Sequence, residues 1–158
     1  MDRIDREILS ALELDGRQSY AALADSIGLS KTPCWNRVQA LEEAGIITGY
    51  RADIDPARIN LGVMAYIQVI IDSTHREAFE QAVLATPAIL ECHTIAGDGD
   101  YVLRVACRDV DDLDHLLRFD IVILPGVQRS STMVCLKTIK RGGRVTQAAL
   151  SRARPSSV

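Results

Sequence analysis

A short run of polar and aromatic side chains near residue 35 has the chemistry to recognise nucleic acid. Asn36 and Gln39 can each pair bidentately with adenine, and Lys31 can reach guanine or a phosphate. Trp35 can pack on a thymine methyl group or a sugar. The same run holds two basic residues and no acidic one, which suits a polyanion. These residues predict contact with duplex DNA, provided that one element of structure presents them together.

Apolar residues at helical spacing predict three short helices in the first 45 residues. The first runs from Ile4 to Leu14, after which Ser19 can cap a second helix that Gly28 ends. Ser30 can cap the third, which Gly45 ends. Two helices separated by only three residues must cross at a steep angle, as in a helix-turn-helix. The third helix is therefore expected to project from the bundle.

This third helix is expected to have one face for a core and one for the major groove. Val38, Leu41 and Ala44 should face inward. The β-prone stretch Ile46–Ile54 that follows, closed by Pro56, stands where a wing belongs. The residues expected to contact DNA are Lys31, Thr32, Pro33, Trp35, Asn36 and Gln39 in the helix and, through phosphates, Ser19, Tyr20, Ser30, Arg37 and Arg51.

From Gly62 onward, strand and helix patterns alternate. The predicted strands are 63–71, 89–95, 101–106 and 127–139, and the predicted helices are 76–84 and 109–122. In the first of these helices, Ala78, Phe79, Ala82 and Val83 should face inward. The order βαββαβ is that of a ferredoxin-like, ACT-like sheet with two helices on one face, so the fold class is α+β. Because the other face is left uncovered, we expect an obligate homodimer.

The turn Gly97-Asp98-Gly99-Asp100 joins two predicted strands and has two interpretations. It can be a plain hairpin turn, because all four residues favour tight turns. Alternatively, the glycines bring backbone N–H groups close to a ligand carboxylate, and Asp98 or Asp100 offers a counter-charge for an α-ammonium. The second interpretation predicts an amino-acid-like effector, with further hydroxyl donors on the last strand: Ser130, Ser131 and Thr132.

Charge is distributed unevenly along the chain. The formal net charge is −3, which by itself argues against a nucleic-acid partner. Residues 137–158, however, contain six Lys/Arg and no Asp/Glu, and phosphate affinity depends on where charges lie. We divide the chain into a DNA-binding domain, 1–60, a ligand-sensing and oligomerisation domain, 61–140, and a basic tail, 141–158, of which 152–157 are expected to be disordered.

Composition predicts a cytoplasmic protein with no membrane association. No window approaches 18 uninterrupted apolar residues, and the first residues do not have the pattern of a signal peptide. The four cysteines are scattered through apolar segments without a Cys-x-x-Cys pair, which is typical of buried thiols in a reducing compartment: Cys34, Cys92, Cys107 and Cys135.

Two other classes of function are considered. An enzyme is not expected, because His75, His93 and His115 share no metal-ligand spacing with a cysteine and no nucleophile motif is present. We expect no metal and no cofactor, and His93 is expected to be a structural strand residue. The second alternative is a ligand-binding or assembly module whose winged helix serves only protein association and has lost its DNA affinity, but Lys31, Asn36 and Gln39 on the exposed face argue against it.

Several blocks, in this order, resemble the Lrp/AsnC family, the feast/famine regulators named after the leucine-responsive regulatory protein. They span nearly the whole chain: Ile4-Asp5-Arg6-Glu7-Ile8-Leu9, Gly28-Leu29-Ser30, Thr32-Pro33-Cys34-Trp35, Arg37-Val38, Leu41-Glu42-Glu43-Ala44-Gly45-Ile46-Ile47, Glu91-Cys92-His93, Gly97-Asp98-Gly99-Asp100-Tyr101, Leu124-Pro125-Gly126-Val127, and Thr132 ahead of Lys137. The chain departs from the family at Gly99, where members often carry a bulkier residue, and at Arg141-Gly142-Gly143-Arg144.

The resemblance implies a DNA-binding transcriptional regulator that acts on palindromic operators. It implies dimers that assemble into larger rings, here an octamer of four dimers, and an amino acid as effector. It also implies an effector pocket at a subunit interface formed by the turn and the last strand, with Gly97, Asp98, Gly99, Asp100, Tyr101 and Thr132 as its residues.

Overall fold

The computed structural model describes residues 1–151, which form two compact units. One unit consists of Met1–Asp53 with the described residues from Ile139 onward, and the other is Ile54–Thr138. The residues after 140 are not a separate tail here, because a helix at Val145–Ser151 belongs to the N-terminal unit. The expected disorder of 152–157 concerns residues outside the described part. Within residues 1–151, no helix has the length and apolar character needed to cross a bilayer.

Three helices build the N-terminal unit: α1 (Arg3–Leu14), α2 (Tyr20–Ser26) and α3 (Lys31–Glu43). Asp2 and Asp5 form a reciprocal cap at the start of α1, because each carboxylate accepts from the other's backbone N–H. The Ser19 hydroxyl accepts from the Ala22 amide at 3.2 Å and caps α2. Gly28 follows α2 in the left-handed region, at φ +70°, which only glycine enters at little cost. The predicted helix limits are confirmed to within a residue or two.

The core of this unit is small and entirely apolar. It is formed by Ile8, Leu23, Ala24, Cys34, Val38 and Leu41. Ile8 is fully buried, and burial of such a side chain contributes about 1.5–3 kcal/mol. The inward position predicted for Ala44 is wrong: α3 has already ended and Ala44 is exposed.

The predicted β wing is absent as a strand. Residues 46–55 contain no regular secondary structure, although their composition is β-prone. A strand needs a hydrogen-bonded neighbour, and no described residue of the N-terminal unit belongs to a strand. The prediction of β structure at Ile46–Ile54 is therefore wrong.

The second unit is one antiparallel sheet with helices on one face. Its strands are β1 (Val63–Ile71), β2 (Ile89–Thr94), β3 (Tyr101–Cys107) and β4 (Val127–Val134), in the spatial order β2-β3-β1-β4. The helices are α4 (Arg76–Leu84) and α5 (Val110–Leu116), and α5 continues into a π-helical turn at Leu117–Ile121. The last helix of the chain, α6 (Val145–Ser151), belongs to the N-terminal unit. The predicted βαββαβ order and α+β class are confirmed.

Alternation along the strands divides the sheet into a buried and an uncovered face. Ala65, Ile67 and Val69 of β1 are fully buried and pack under the helices with Leu103 and Phe79. The intervening residues point to the other face, where Tyr66 is 39% and Met133 51% exposed. The described chain does not cover this second face, as the sequence predicted. Within α4, Phe79 and Val83 face the core, but the inward position predicted for Ala78 is wrong because Ala78 is exposed.

The last strand is shorter than predicted. The Cys135 amide donates to the Met64 carbonyl at 2.8 Å, near the start of β1. Beyond that point β1 offers no further partner, so the predicted continuation to Ile139 is wrong. Leu136 and Ile139 are consequently 95% and 84% exposed. All four thiols are free; Cys34 and Cys107 are buried, whereas Cys92 and Cys135 are half-buried.

The core assignment leads to a stability prediction. Leu103→Ala removes a fully buried side chain from the middle of the sheet, so the free energy of unfolding should fall by about 2–5 kcal/mol. Urea unfolding followed by circular dichroism measures it. The same truncation at the 95% exposed Leu136 is the matched control and should stay within about 0.5 kcal/mol of the original chain. Equal losses at the two positions would contradict the assigned core.

Candidate functional site

The outward face of α3 carries the residues predicted to read bases. Lys31, Thr32, Trp35 and Asn36 are exposed, with Trp35 at 46%. They lie opposite Cys34, Val38 and Leu41, which are buried in the core of the bundle. Residues four apart share a helix face. Trp35 therefore lies on the same side as Lys31, and Asn36 on the same side as Thr32. Pro33 is exposed in the first turn, and Ser30 is at the cap position without a capping side-chain hydrogen bond.

Gln39 differs from its neighbours because it is half-buried and already bonded. Its Nε2 donates to Glu42 Oε2 at 2.8 Å, and the Tyr50 hydroxyl donates to Glu42 Oε1 at 2.8 Å. Burial, with the hydrogen bond and negative charge of Glu42, raises the pKa of Tyr50 to about 12. Tyr50 therefore stays a neutral donor at neutral pH. The carboxylate of Glu42 ties α3 to the segment that follows it.

Arg37 has two acidic partners inside the unit. One guanidinium nitrogen lies 2.7 Å from Asp2 Oδ2 and 2.7 Å from Asp5 Oδ1. These hydrogen bonds raise the pKa of Arg37, and the pKa of Asp2 is lowered by the Asp5 amide and then by Arg37. The interaction joins α3 to the start of α1. The two carboxylates lie far from Arg37 in the sequence, and nothing in the local pattern indicated the pairing.

The other residues predicted to contact phosphate are at the surface of the same unit. The Ser19 hydroxyl is occupied by its capping bond, and Tyr20 packs partly against the core. Arg51 is exposed in the segment after α3. The structure thus brings most of the predicted DNA-contacting residues to the surface of one unit, with Gln39 and Arg37 held by carboxylates.

Within the turn at residues 97–100, the two aspartates differ. The Asp100 amide donates to the Val69 carbonyl at 2.9 Å, and its carboxylate accepts from the Ile71 amide at 2.9 Å. Asp100 therefore fastens the turn to β1. Gly97 has φ +152°, and a Cβ on the buried Gly99 would lie 3.4 Å from the Val69 carbonyl oxygen. Of the two carboxylates, Asp98 is the exposed one.

Tyr101 is part of the core. It is 2% exposed, its ring centroid lies 4.7 Å from that of Phe79, and its hydroxyl donates to Glu80. Burial and the Glu80 carboxylate raise the pKa of Tyr101. Its side chain faces the helices, so it supports the neighbouring turn from within.

An open groove of about 460 Å³ lies against the exposed Asp98 and is lined also by Gln68, Ile70, Arg129, Ser130 and Ser131. In the β1–β4 register, Ser131 lies opposite Gln68 and Arg129 opposite Ile70, all on the uncovered face. Asp98 and Arg129 give the groove one negative and one positive group. Thr132 pairs with Ile67, on the face that the helices cover, and does not line the groove.

Sequence reasoning missed Arg129 and Gln68. Gln68 is the one amide side chain of β1, and Arg129 is the one charged side chain of β4. Their alternation with buried neighbours was visible in the sequence, but the register that places them opposite Ser131 and Ile70 was not. Within residues 1–151, no three His, Cys, Asp or Glu side chains are grouped to hold a metal ion.

Comparison with known proteins assigns each of the two units to a known type of domain. Residues 1–48 match the family model described as winged helix-turn-helix DNA-binding, and residues 64–145 match the Lrp/AsnC ligand binding domain. The leucine-responsive regulatory proteins of Escherichia coli and Salmonella typhimurium are each 36% identical over 148 residues, covering 92% of this chain and 90% of theirs.

Solved structures show the same fold. A transcriptional regulator of Neisseria meningitidis in complex with L-Met has a TM-score of 0.90 at 32% identity, covering 95% of this chain and 99% of the other. An AsnC family transcriptional regulator from Agrobacterium tumefaciens has a TM-score of 0.84 at 33% identity, covering 89% and 94%. These relatives are transcriptional regulators and not enzymes, which agrees with the class of function predicted for this chain. This chain belongs to the Lrp/AsnC family of transcriptional regulators, with an N-terminal helix-turn-helix that binds DNA and a C-terminal ligand-binding domain.

Proposed function

We propose that this regulator acts in the cytoplasm, reads a palindromic operator through the outward face of α3, and responds to an amino acid bound in the groove beside Asp98. The observation that supports operator reading is the exposed set Lys31, Thr32, Trp35 and Asn36 opposite a buried helix face. A helix fits the major groove, where its side chains reach base edges. Ser30, Pro33 and Arg51 contact the flanking sugar-phosphate backbone.

Asn36 has the clearest role in sequence reading, because an exposed amide can pair bidentately with adenine. Asn36→Ala should weaken binding to a selected operator by about 1–3 kcal/mol and leave binding to random duplex DNA nearly unchanged. Fluorescence anisotropy with an operator obtained by selection from random duplexes measures both. Gln81→Ala, at an exposed helical position of the other unit, is the control and should change neither. Equal weakening on both DNAs would mean that Asn36 contacts the sugar-phosphate backbone of the DNA and not a base.

For Arg37, we propose that the main role is to join α3 to α1. Arg37→Gln should lower the melting temperature slightly. The pKa of Asp2 lies below its ordinary 3.8, so the contribution of this pairing exists above pH 3.8 and is lost as the pH falls through the lowered value. The difference in melting temperature between the variant and the original chain should therefore shrink in acid.

The DNA measurement separates this role from a phosphate contact. The slope of log K against log salt should be the same for Arg37→Gln as for the original chain. Lys31→Gln should make this negative slope smaller in magnitude. If Arg37→Gln instead reduced the slope by about 0.9, the value expected for one phosphate neutralised by the protein, the guanidinium would be assigned to the DNA backbone.

The groove beside Asp98 has the size and the charges for a free amino acid. Its volume of about 460 Å³ lies within the range of about 300–1,000 Å³ found for small-molecule sites. We propose that Asp98 binds the α-ammonium, Arg129 the carboxylate, and Gln68 and Ser131 further polar groups. Ser130 lines the groove but pairs with the buried Val69, so it contributes its backbone and not its hydroxyl. Gly97, Gly99, Asp100 and Tyr101 then hold the turn in shape, and Thr132 supports β4 from the covered face. The amino-acid complex of the Neisseria meningitidis relative supports this class of ligand.

The uncovered sheet face supports a homodimer, and the family supports four dimers in an octamer. The groove opens on that face, so a second copy would close it and complete the effector site. Binding would then regulate by favouring one assembly, or one spacing of α3 pairs, over another, to the extent that the effector's affinities for the two states differ.

For the effector site we predict a ligand-dependent gain in stability. L-Met, and then each other standard amino acid, is added at millimolar concentration, and at least one should raise the melting temperature by mass action. Asp98→Asn and Arg129→Gln should each abolish that rise without changing the ligand-free melting temperature. Asp53→Asn, an exposed carboxylate of the other unit, should retain it. A rise that persists in both groove variants would place the ligand elsewhere, and no rise with any amino acid would remove this effector class.

A further inference from the structure

A basic loop leads into the last helix of the N-terminal unit. It contains Lys140, Arg141 and Arg144, and no acidic residue occurs between positions 137 and 151. Lys140 and Arg141 are exposed and Arg144 is half-buried. Loops of this kind are usually solvated connections. Here the loop is part of the DNA-binding unit, since residues from Ile139 onward belong with Met1–Asp53.

The end of the loop is fastened by a carboxylate of α1. Glu13 accepts hydrogen bonds from the Val145 amide, from the Thr146 amide at 3.0 Å, and from the Thr146 hydroxyl. Burial raises the pKa of Glu13, but these hydrogen bonds and the charge of Arg144 outweigh it and hold the pKa below its ordinary value. Glu13 is therefore ionised at neutral pH and caps α6 from another part of the chain.

The same two segments face each other across a small cavity. It has a volume of about 170 Å³ and is lined by Met1, Arg6 and Leu9 at α1 and by Thr146, Ala149 and Leu150 of α6. The loop itself is compact, because Gly142 is left-handed at φ +63° and a Cβ on Gly143 would lie 3.4 Å from Cε of Lys140. The Lys140 side chain thus folds back beside the residue that precedes Arg144.

The point of attachment is beside the segment that follows α3. One groove of about 400 Å³ is lined by Leu9, Leu12 and Glu13 of α1, by residues 46–50, and by Val145 and Thr146 of α6. Residues 46–50 lie at the position of a wing but form no strand. A basic loop therefore enters α6 next to the place where a β wing was expected.

The basic residues of the loop offset an acidic excess in the rest of the N-terminal unit. Residues 1–53 carry six Lys/Arg and nine Asp/Glu, an acidic excess that opposes binding to a polyanion, and residues 139–151 add three basic residues and no acidic one. Fixing the loop on the folded unit also lowers the entropy lost when its side chains meet phosphates.

We propose that the loop at residues 140–144 contacts the phosphates of duplex DNA beside the site of α3, next to the wing segment at residues 46–50. The proposal rests on the DNA-binding function above and adds to it a second, sequence-independent contact surface. Glu13 is its positioning residue, because its carboxylate holds the end of the loop, at the start of α6, against α1.

The test uses the full-length chain and a labelled random-sequence duplex, because phosphate contacts do not depend on sequence. Anisotropy titrations across a range of KCl concentrations give the slope of log K against log salt. In the triple variant Lys140→Gln, Arg141→Gln, Arg144→Gln, the magnitude of the slope should fall by about 0.9 for each phosphate that the loop neutralises in the original chain. Circular dichroism checks that this variant remains folded, because it also removes the Arg144 charge beside Glu13. Glu13→Gln keeps all three loop charges but weakens the attachment, and it should also reduce the slope.

The matched control removes three positive charges from the other unit: Arg76→Gln, Arg108→Gln, Arg118→Gln. It should keep the original slope, which separates a local contact from a change in net charge. If the loop variant keeps the original slope while Lys31→Gln reduces it, the loop proposal is overturned and DNA binding by α3 stands. Salt-insensitive binding, or none, by the original chain would instead overturn DNA binding itself. If the Glu13→Gln variant has the same slope of log K against log salt as the original chain, the positioning role of Glu13 is overturned.

Discussion

The burial of one face of α3 is the constraint on which the N-terminal unit depends. Cys34, Val38 and Leu41 sit against a core of only a few residues, and that burial fixes which side chains remain outside. The Arg37 pairing with Asp2 and Asp5 and the Glu42 bonds to Gln39 and Tyr50 hold the helix in place from two sides. Asn36 and Trp35 are thus presented on a rigid element, which reduces the side-chain and backbone ordering that binding would otherwise require.

A related constraint acts in the C-terminal unit, where only one side of the sheet is covered. Alternate residues of β1 and β3 are buried under α4 and α5, and the helices supply nothing for the other side. The exposed side can therefore carry polar groups such as Gln68 and Arg129 without the cost of burying them unpaired. The same feature leaves an apolar surface around Tyr66 and Met133 that a second copy can cover.

The turn at residues 97–100 shows how supporting and binding roles divide between adjacent residues of similar type. Asp100 is used by the fold, because its carboxylate accepts the Ile71 amide and its backbone bonds Val69. Gly99 lies buried against β1, where a Cβ would lie 3.4 Å from the Val69 carbonyl oxygen. Asp98, in contrast, is exposed and lies at the groove. Two aspartates that are equivalent in the sequence therefore have different surroundings.

Periodicity and turn residues in the sequence alone determined the helix limits, the βαββαβ order and most of the exposed face of α3, because those properties depend on neighbours a few positions away. Tertiary structure alone decided that Arg37 meets Asp2 and Asp5, that Arg129 and Asp98 line the same groove, that residues 46–55 form no strand, and that Glu13 caps a helix more than a hundred residues later. Each of these depends on which distant segments become neighbours. A carboxylate or a β-prone segment has no fixed role until the packed chain supplies, or fails to supply, its hydrogen-bonding partner.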